Sequence, residues 1–176
     1  MAFDHQLLAE RVAAEYVHHL FPSFRTPAFV ACPDDASAGA VIDAIKRAAS
    51  RKRVEMEVVD LRPDPAVRLD GVTQRLCGFY GPPQGEDTTP PRILTLDGFD
   101  LLEGAGTDAP TYPFRSEFQF DEDYLWLFMG RDWRRLRRMF GSYNLPLYLA
   151  ATDITPAAWR MLGGESRLPH STGSDF

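Results

Sequence analysis

Apolar residues recur at Leu8, Val12, Tyr16 and Leu20, one stripe of a helix that Asp4 can cap and Phe21-Pro22 ends. A short apolar run, Ala28 to Cys32, comes after Pro27 and predicts a buried strand. After the loop Pro33 to Ser37, in which Asp35 or Ser37 can cap, a helix is expected over Ala38 to Ser50 with Val41, Ile42 and Ile45 inward. Val54 to Leu61 reads as a second strand. Pro63 and Pro65 interrupt the next segment, and Val72 to Phe79 is expected to form a short helix. Gly81 to Pro91 is rich in proline, glycine and threonine and reads as an exposed loop.

The next strand is the clearest in the chain: Ile93 to Leu96, ending on Asp97, with Asp100 and Glu103 close behind. A loop is expected from Gly104 to Pro113. Leu125, Met129, Trp133, Leu136 and Phe140 then keep helical spacing and predict one helix over Asp121 to Phe140, with acids at its start and arginines near its end, as the helix dipole prefers. A strand at Tyr124 to Phe128 followed by a shorter helix competes with that reading, because Gly130 weakens a long helix. Leu145 to Ala150 predicts a last strand ending at Thr152-Asp153, and Thr155-Pro156 opens a short helix carrying Trp159 and Leu162.

Alternating strands and helices argue for an α/β fold: a mostly parallel central sheet with helices on both faces, three layers in all. Length sets one domain, residues 1–162, with 163–176 expected to be a disordered tail because it is small and polar. Composition is that of a globular protein, 44% hydrophobic and 25% charged. The net charge of −6 argues against nucleic-acid binding by the whole surface. No apolar run is long enough to span a membrane, and the start lacks the basic and apolar regions of a secretory signal. Cys32 and Cys77 form no metal or redox motif, and His5, His18, His19 and His170 have no metal-ligand spacing. A cytoplasmic location is expected.

The order of strands and the run Leu94-Thr95-Leu96-Asp97 resemble the AAA+ and RecA-like P-loop ATPases over about Phe3 to Leu162. In that family the first strand runs into the phosphate loop, a later strand ends in the Walker B acid, and the next ends in a polar sensor. The resemblance puts Ala28 to Cys32 first, Asp97 in the Walker B place and Thr152 at the sensor tip. Asp97 would then hold Mg²⁺, and Asp97 with Thr152 a nucleotide. The partner motif G-x-x-x-x-G-K-[ST] occurs nowhere in the chain. A phosphate loop works through glycines that let backbone N–H groups wrap the anion and a lysine that neutralises it. Here the loop is PDDASAGA, with Asp34 and Asp35 where a triphosphate would sit. Two like charges about 4 Å apart repel by about 4 kcal/mol at an effective dielectric near 20. Gly98 replaces the second Walker B acid.

These departures point to a degenerate, ATPase-like domain, non-catalytic and without a cofactor, that acts as an adaptor or regulatory subunit beside another protein in a larger bacterial-type complex. Two alternatives stay open. One is a Mg²⁺-nucleotide enzyme with an atypical or shared site. The other is a phosphoacceptor switch at Asp97, resembling receiver domains, with Thr152 as the switch hydroxyl. The arginines Arg131, Arg134, Arg135 and Arg138 fall opposite the apolar stripe of the predicted helix and form the candidate partner-binding face, either a solvated surface or a dock for an acidic protein in preference to nucleic acid.

Overall fold

The computed structural model describes residues 4–19, 26–77, 92–103 and 110–162. Five parallel strands form one sheet: β1 Ala28–Ala31, β2 Glu55–Asp60, β3 Arg92–Asp97, β4 Tyr124–Gly130 and β5 Thr152–Asp153, in the spatial order β2-β3-β4-β1-β5. Alternate strand residues go to opposite faces. Ala28, Val30, Ile93, Leu125, Leu127 and Met129 pack under α1 (His5–His19), α2 (Asp35–Ser50) and α6 (Ala157–Leu162). Phe29, Ala31, Leu94, Leu96, Trp126 and Phe128 pack under α3 (Pro65–Cys77), α4 (Thr111–Phe118), α5 (Trp133–Gly141) and a 3-10 turn at Phe99–Leu102. The expected three-layer α/β architecture is present. No described helix is long and apolar enough to cross a membrane.

Asp4 caps α1 as expected, its carboxylate accepting from the N–H groups of Gln6 and Leu7. Asp34 caps α2, which therefore starts at Asp35, three residues earlier than the apolar spacing indicates. The helix after β2 starts at Pro65, well before Val72: proline fits the first helical turn, where no N–H partner is needed, and Asp64 accepts from Val67 N–H. Within the stretch read as a loop up to Pro113, α4 already begins at Thr111.

The long helix expected over Asp121 to Phe140 is instead β4 followed by α5, the competing reading of a strand and a shorter helix. Tyr124 to Met129 is apolar without a break, and a parallel central strand is buried on both faces, so the run satisfies both layers at once. Asp132 then caps α5 through the N–H groups of Arg134 and Arg135. Leu145 to Ala150 forms successive turns, with Leu145 N–H donating to Ser142 and Tyr148 N–H to Leu145. Pro146 withholds a ladder donor there, and only Thr152 and Asp153 pair with β1. The helix stop at Phe21-Pro22, the loop Gly81 to Pro91 and the tail 163–176 lie outside the described residues.

Candidate functional site

Because β4 lies between β3 and β1, the carboxyl ends of these three strands meet at one edge of the sheet. That edge is where open α/β sheets bind ligands. Asp97 closes β3 and pairs in register with Met129, so the residue just past β4, Arg131, stands beside it. The Arg131 guanidinium meets the Asp97 carboxylate in a two-pronged contact, Nη1–Oδ1 2.7 Å and Nη2–Oδ2 3.1 Å. Its Nε donates to Asp35 Oδ1 at 3.0 Å, across from the first turn of α2. Arg62, after β2, joins the same group: Nη1 reaches Asp35 at 2.7 Å, Nε reaches Asp60 at 2.8 Å and stands 4.0 Å from Asp97. Two arginines thus tie together Asp35, Asp60 and Asp97.

Burial sets the weight of each contact. The Asp97 side chain is only 7% exposed, whereas that of Asp35 is 74% exposed. The Asp97–Arg131 pair is therefore the tight core of the cluster, and the Asp35 contacts are surface contacts worth little singly. Burial opposes the charge on Arg131, but its bonds to Asp97 and Asp35 outweigh that and hold the guanidinium protonated above its ordinary range. The Arg62 guanidinium keeps the Asp60 carboxyl below the usual carboxylate range.

A second acid positions the arginine. Asp100 is 3% exposed, and its Oδ2 accepts from the backbone N–H of Arg131 at 3.1 Å and of Asp132 at 3.0 Å. Burial raises its pKa, against the lowering effect of those two bonds. Its Oδ1 has no partner. Gly130 makes room for it: a Cβ there would lie 2.5 Å from Asp100 Oδ1. Gly98 takes φ +88, and a Cβ on it would lie 2.6 Å from Arg62 Cγ. The glycine after Asp97 thus lets both the turn and the Arg62 stem into place.

The connection from β1 to α2 is only Cys32, Pro33 and Asp34. The Asp34 carboxylate turns toward its own helix, accepting from Ser37 N–H and Ser37 Oγ, both at 2.7 Å. These bonds keep its pKa low. Cys32 is fully buried and its thiol is pushed up to about 12 by burial, so it is no nucleophile. No cluster of three or more His, Cys, Asp or Glu that could hold a metal ion occurs among the described residues.

The residues singled out from the sequence do not all gather here. Thr152 sits on β5, level with Ala28 at the start of β1. It is three strand spacings from Asp97, roughly 14 Å, and in register with Thr95, two residues before the end of β3. The strand next to β3 in the chain is β4, so the tip beside Asp97 is Arg131 rather than Thr152. Arg131 also leaves the predicted arginine face: it precedes α5 and points into the acid cluster. On α5, Arg138 Nε donates to Glu103, Arg135 lies 3.6 Å from Glu103 and from Asp132, and Arg137 stacks on Trp133 at 5.1 Å. Sequence reasoning missed Arg62, Asp60 and Asp100 as site residues. The signal was available: each lies at or just past the carboxyl end of a strand.

No protein-family model and no curated protein sequence matches the chain. Among solved structures it is similar to the Orc1 protein of Aeropyrum pernix in complex with DNA, with a TM-score of 0.55 and 16% identity over 88% of this chain and 45% of that one. It is also similar to a Walker-type ATPase of Pyrococcus abyssi, with a TM-score of 0.51 and 11% identity over 88% of this chain and 53% of that one. The chain spans about half the length of each. At these identities the likeness is one of fold, and the chain has the P-loop-ATPase type of α/β fold.

Proposed function

We propose that this chain is a degenerate ATPase-type domain that does not hydrolyse nucleotide and serves as an adaptor or regulatory subunit for another protein. One observation carries the reading: the carboxylate in the Walker B place has both oxygens engaged by Arg131. A metal ion at Asp97 would have to displace a bonded guanidinium. A phosphate would meet Asp35 and Asp60 as well, and the three-residue β1–α2 connection is too short to wrap it with backbone N–H groups. The absence of the G-x-x-x-x-G-K-[ST] motif supports the same conclusion.

Thermal unfolding with and without Mg²⁺-ATP or Mg²⁺-GTP tests it. A ligand at 100 times its Kd would stabilise by about 2.7 kcal/mol, which raises Tm by roughly 5–10 °C in a domain of this size. The expected result is no shift. A shift in the parent that Asp97→Asn abolishes would overturn the reading in favour of a Mg²⁺-nucleotide site at Asp97. The phosphoacceptor alternative draws no support from the geometry, because the Asp97 oxygens are occupied and Thr152 is remote.

A further inference from the structure

An adaptor needs a surface, and the end of α5 offers one. We propose that the outer stripe of α5 and the turns after it, residues 142–149, dock a protein segment carrying an apolar anchor flanked by carboxylates. The inference rests on the adaptor reading and names the chemistry of its partner.

The first support is strain without reward. Leu149 has φ +55, the left-handed region that a branched side chain rarely adopts, and it is 75% exposed. Burial of its own side chain does not offset that cost. The conformation is fixed by Leu149 N–H donating to Phe140 at 2.8 Å and Ala150 N–H to Leu147 at 3.0 Å. Phe140 and Leu147 are themselves buried, so the turns are anchored from below. Strain held this firmly at the surface is a mark of a site.

The second support is what stands beside it. Tyr143 is 82% exposed and packs edge-on against Tyr148, with ring centroids 5.6 Å apart. Leu145 is partly exposed on the same run of turns. Exposed tyrosines and leucines on a rigid frame present apolar area at little cost in conformational freedom.

The third is charge. Helix α5 carries Arg134, Arg135, Arg137 and Arg138 and no acid, in a chain of net charge −6. Arg134 makes no ion pair among the described residues. Arg138, four residues on along the same stripe, is already bonded to Glu103, so among the described residues Arg134 is the unpaired charge of a stripe that runs on to Ser142 and hence to Tyr143. From Arg134 to Ser142 is about 12 Å of helix, the span of a few extended residues or two helical turns of a partner. Carboxylates on that segment complement the stripe, and its apolar side chain meets Leu149 and the tyrosine pair. The exposed Leu149 and tyrosine pair beside the stripe favour an occupant with an apolar side chain over a bare phosphate backbone.

The test is selection of short random peptides displayed on phage against the folded full chain, followed by anisotropy with the enriched peptides carrying fluorescein. Enrichment of Leu, Phe or Trp together with several Asp or Glu is expected. Leu149→Gly should weaken these peptides about tenfold, the loss of one modest anchor. The same variant should raise Tm by roughly 1–3 °C, since glycine accepts a positive φ. Binding lost while stability rises is a result that a purely structural Leu149 would not give. Arg134→Glu should weaken the peptides about threefold, and the parent's affinity should fall with salt. No enrichment, enrichment of basic or uncharged peptides, or binding unchanged by Leu149→Gly would overturn the proposal. So would Arg134-dependent binding of a duplex DNA probe in place of the peptides, or self-association that Leu149→Gly abolishes. A Tm shift with Mg²⁺-ATP would sink the non-catalytic reading and leave the peptide result standing, so the two failures are distinct.

Discussion

Replacing Arg131 by Met removes the cation that neutralises Asp97 and keeps most of the apolar stem. The guanidinium and carboxylate centres lie about 4 Å apart, where unit charges interact by about 4 kcal/mol at an effective dielectric near 20. Breaking a buried pair by removing one partner costs about 3–5 kcal/mol, because the other charge is left behind. Two features reduce that figure here. Arg62 Nε stands 4.0 Å from Asp97 and can move in, and the Arg131 side chain is 23% exposed. The expected loss is about 2–4 kcal/mol, a fall in Tm of roughly 5–12 °C. Asp97→Asn should cost less, about 1–2 kcal/mol, since Arg131 keeps its contact with the exposed Asp35. The double variant should be more stable than the sum of the two losses predicts, by at least about 1.5 kcal/mol. Urea denaturation of the parent, both single variants and the double variant measures all four corners. A loss below about 0.5 kcal/mol for Arg131→Met, or strict additivity, would show that the pair does not hold the edge together.

Gly130→Ala should destabilise by about 1–3 kcal/mol, because its Cβ would stand 2.8 Å from Asp100 Cβ; an equal cost in an Asp100→Ala background would refute the clash. Arg53 has φ +58 at the end of α2, where Val54 N–H donates to Ala49 and Arg53 N–H to Ser50, so Arg53→Gly should stabilise by about 0.5–1 kcal/mol, and an unchanged urea midpoint would count against it. Asp34, Glu57, Asp60 and Glu103 have folded pKa values below their unfolded ones, through bonds from Ser37, Arg75, Arg62 and Arg138. Their stabilisation is present above about pH 4 and is lost as pH falls through the folded values. Asp100 and Asp121 are raised by burial, so their contribution is present below about pH 4 and is lost as pH rises through the folded values. Stability of the parent should therefore fall as pH rises through the Asp100 titration, and Asp100→Asn should flatten that limb; parallel pH profiles would sink the assignment.

The parts of the fold legible in the sequence are those with a single periodic signal. Ile93 to Leu96 is a short apolar run closed by Asp97-Gly98, and α2 repeats Val41 and Ile45 behind an acidic cap. β4 was masked by coincidence: Leu125 and Met129 keep helical spacing with Trp133 and Leu136, although they belong to another element. The stronger clue is that Tyr124 to Met129 holds no charged or amide side chain, so no polar face remains for a surface helix. Misplacing β4 hid the role of Arg131, which depends on β3 and β4 being paired so that residues 34 apart in sequence meet. No local pattern carries that information. The same error moved the sensor position to Thr152, on an edge strand only two residues long.

The ion cluster also bears on the charge that this edge of the sheet presents. Two helices, α2 and α5, begin there, and their first N–H groups carry partial positive charge that in phosphate-binding folds is met by the ligand. Here side chains of the chain meet it. Asp34 takes Ser37 N–H at the start of α2, and Asp132 takes the N–H groups of Arg134 and Arg135 at the start of α5. Asp100 takes the two N–H groups between β4 and α5. The arginines in turn neutralise the carboxylates that no helix end satisfies. A phosphate arriving at this edge would compete with these bonds and meet the negative charges of Asp35, Asp60 and Asp97. The acids and their arginines thus join the ends of four strands and two helices through bonds of the chain's own.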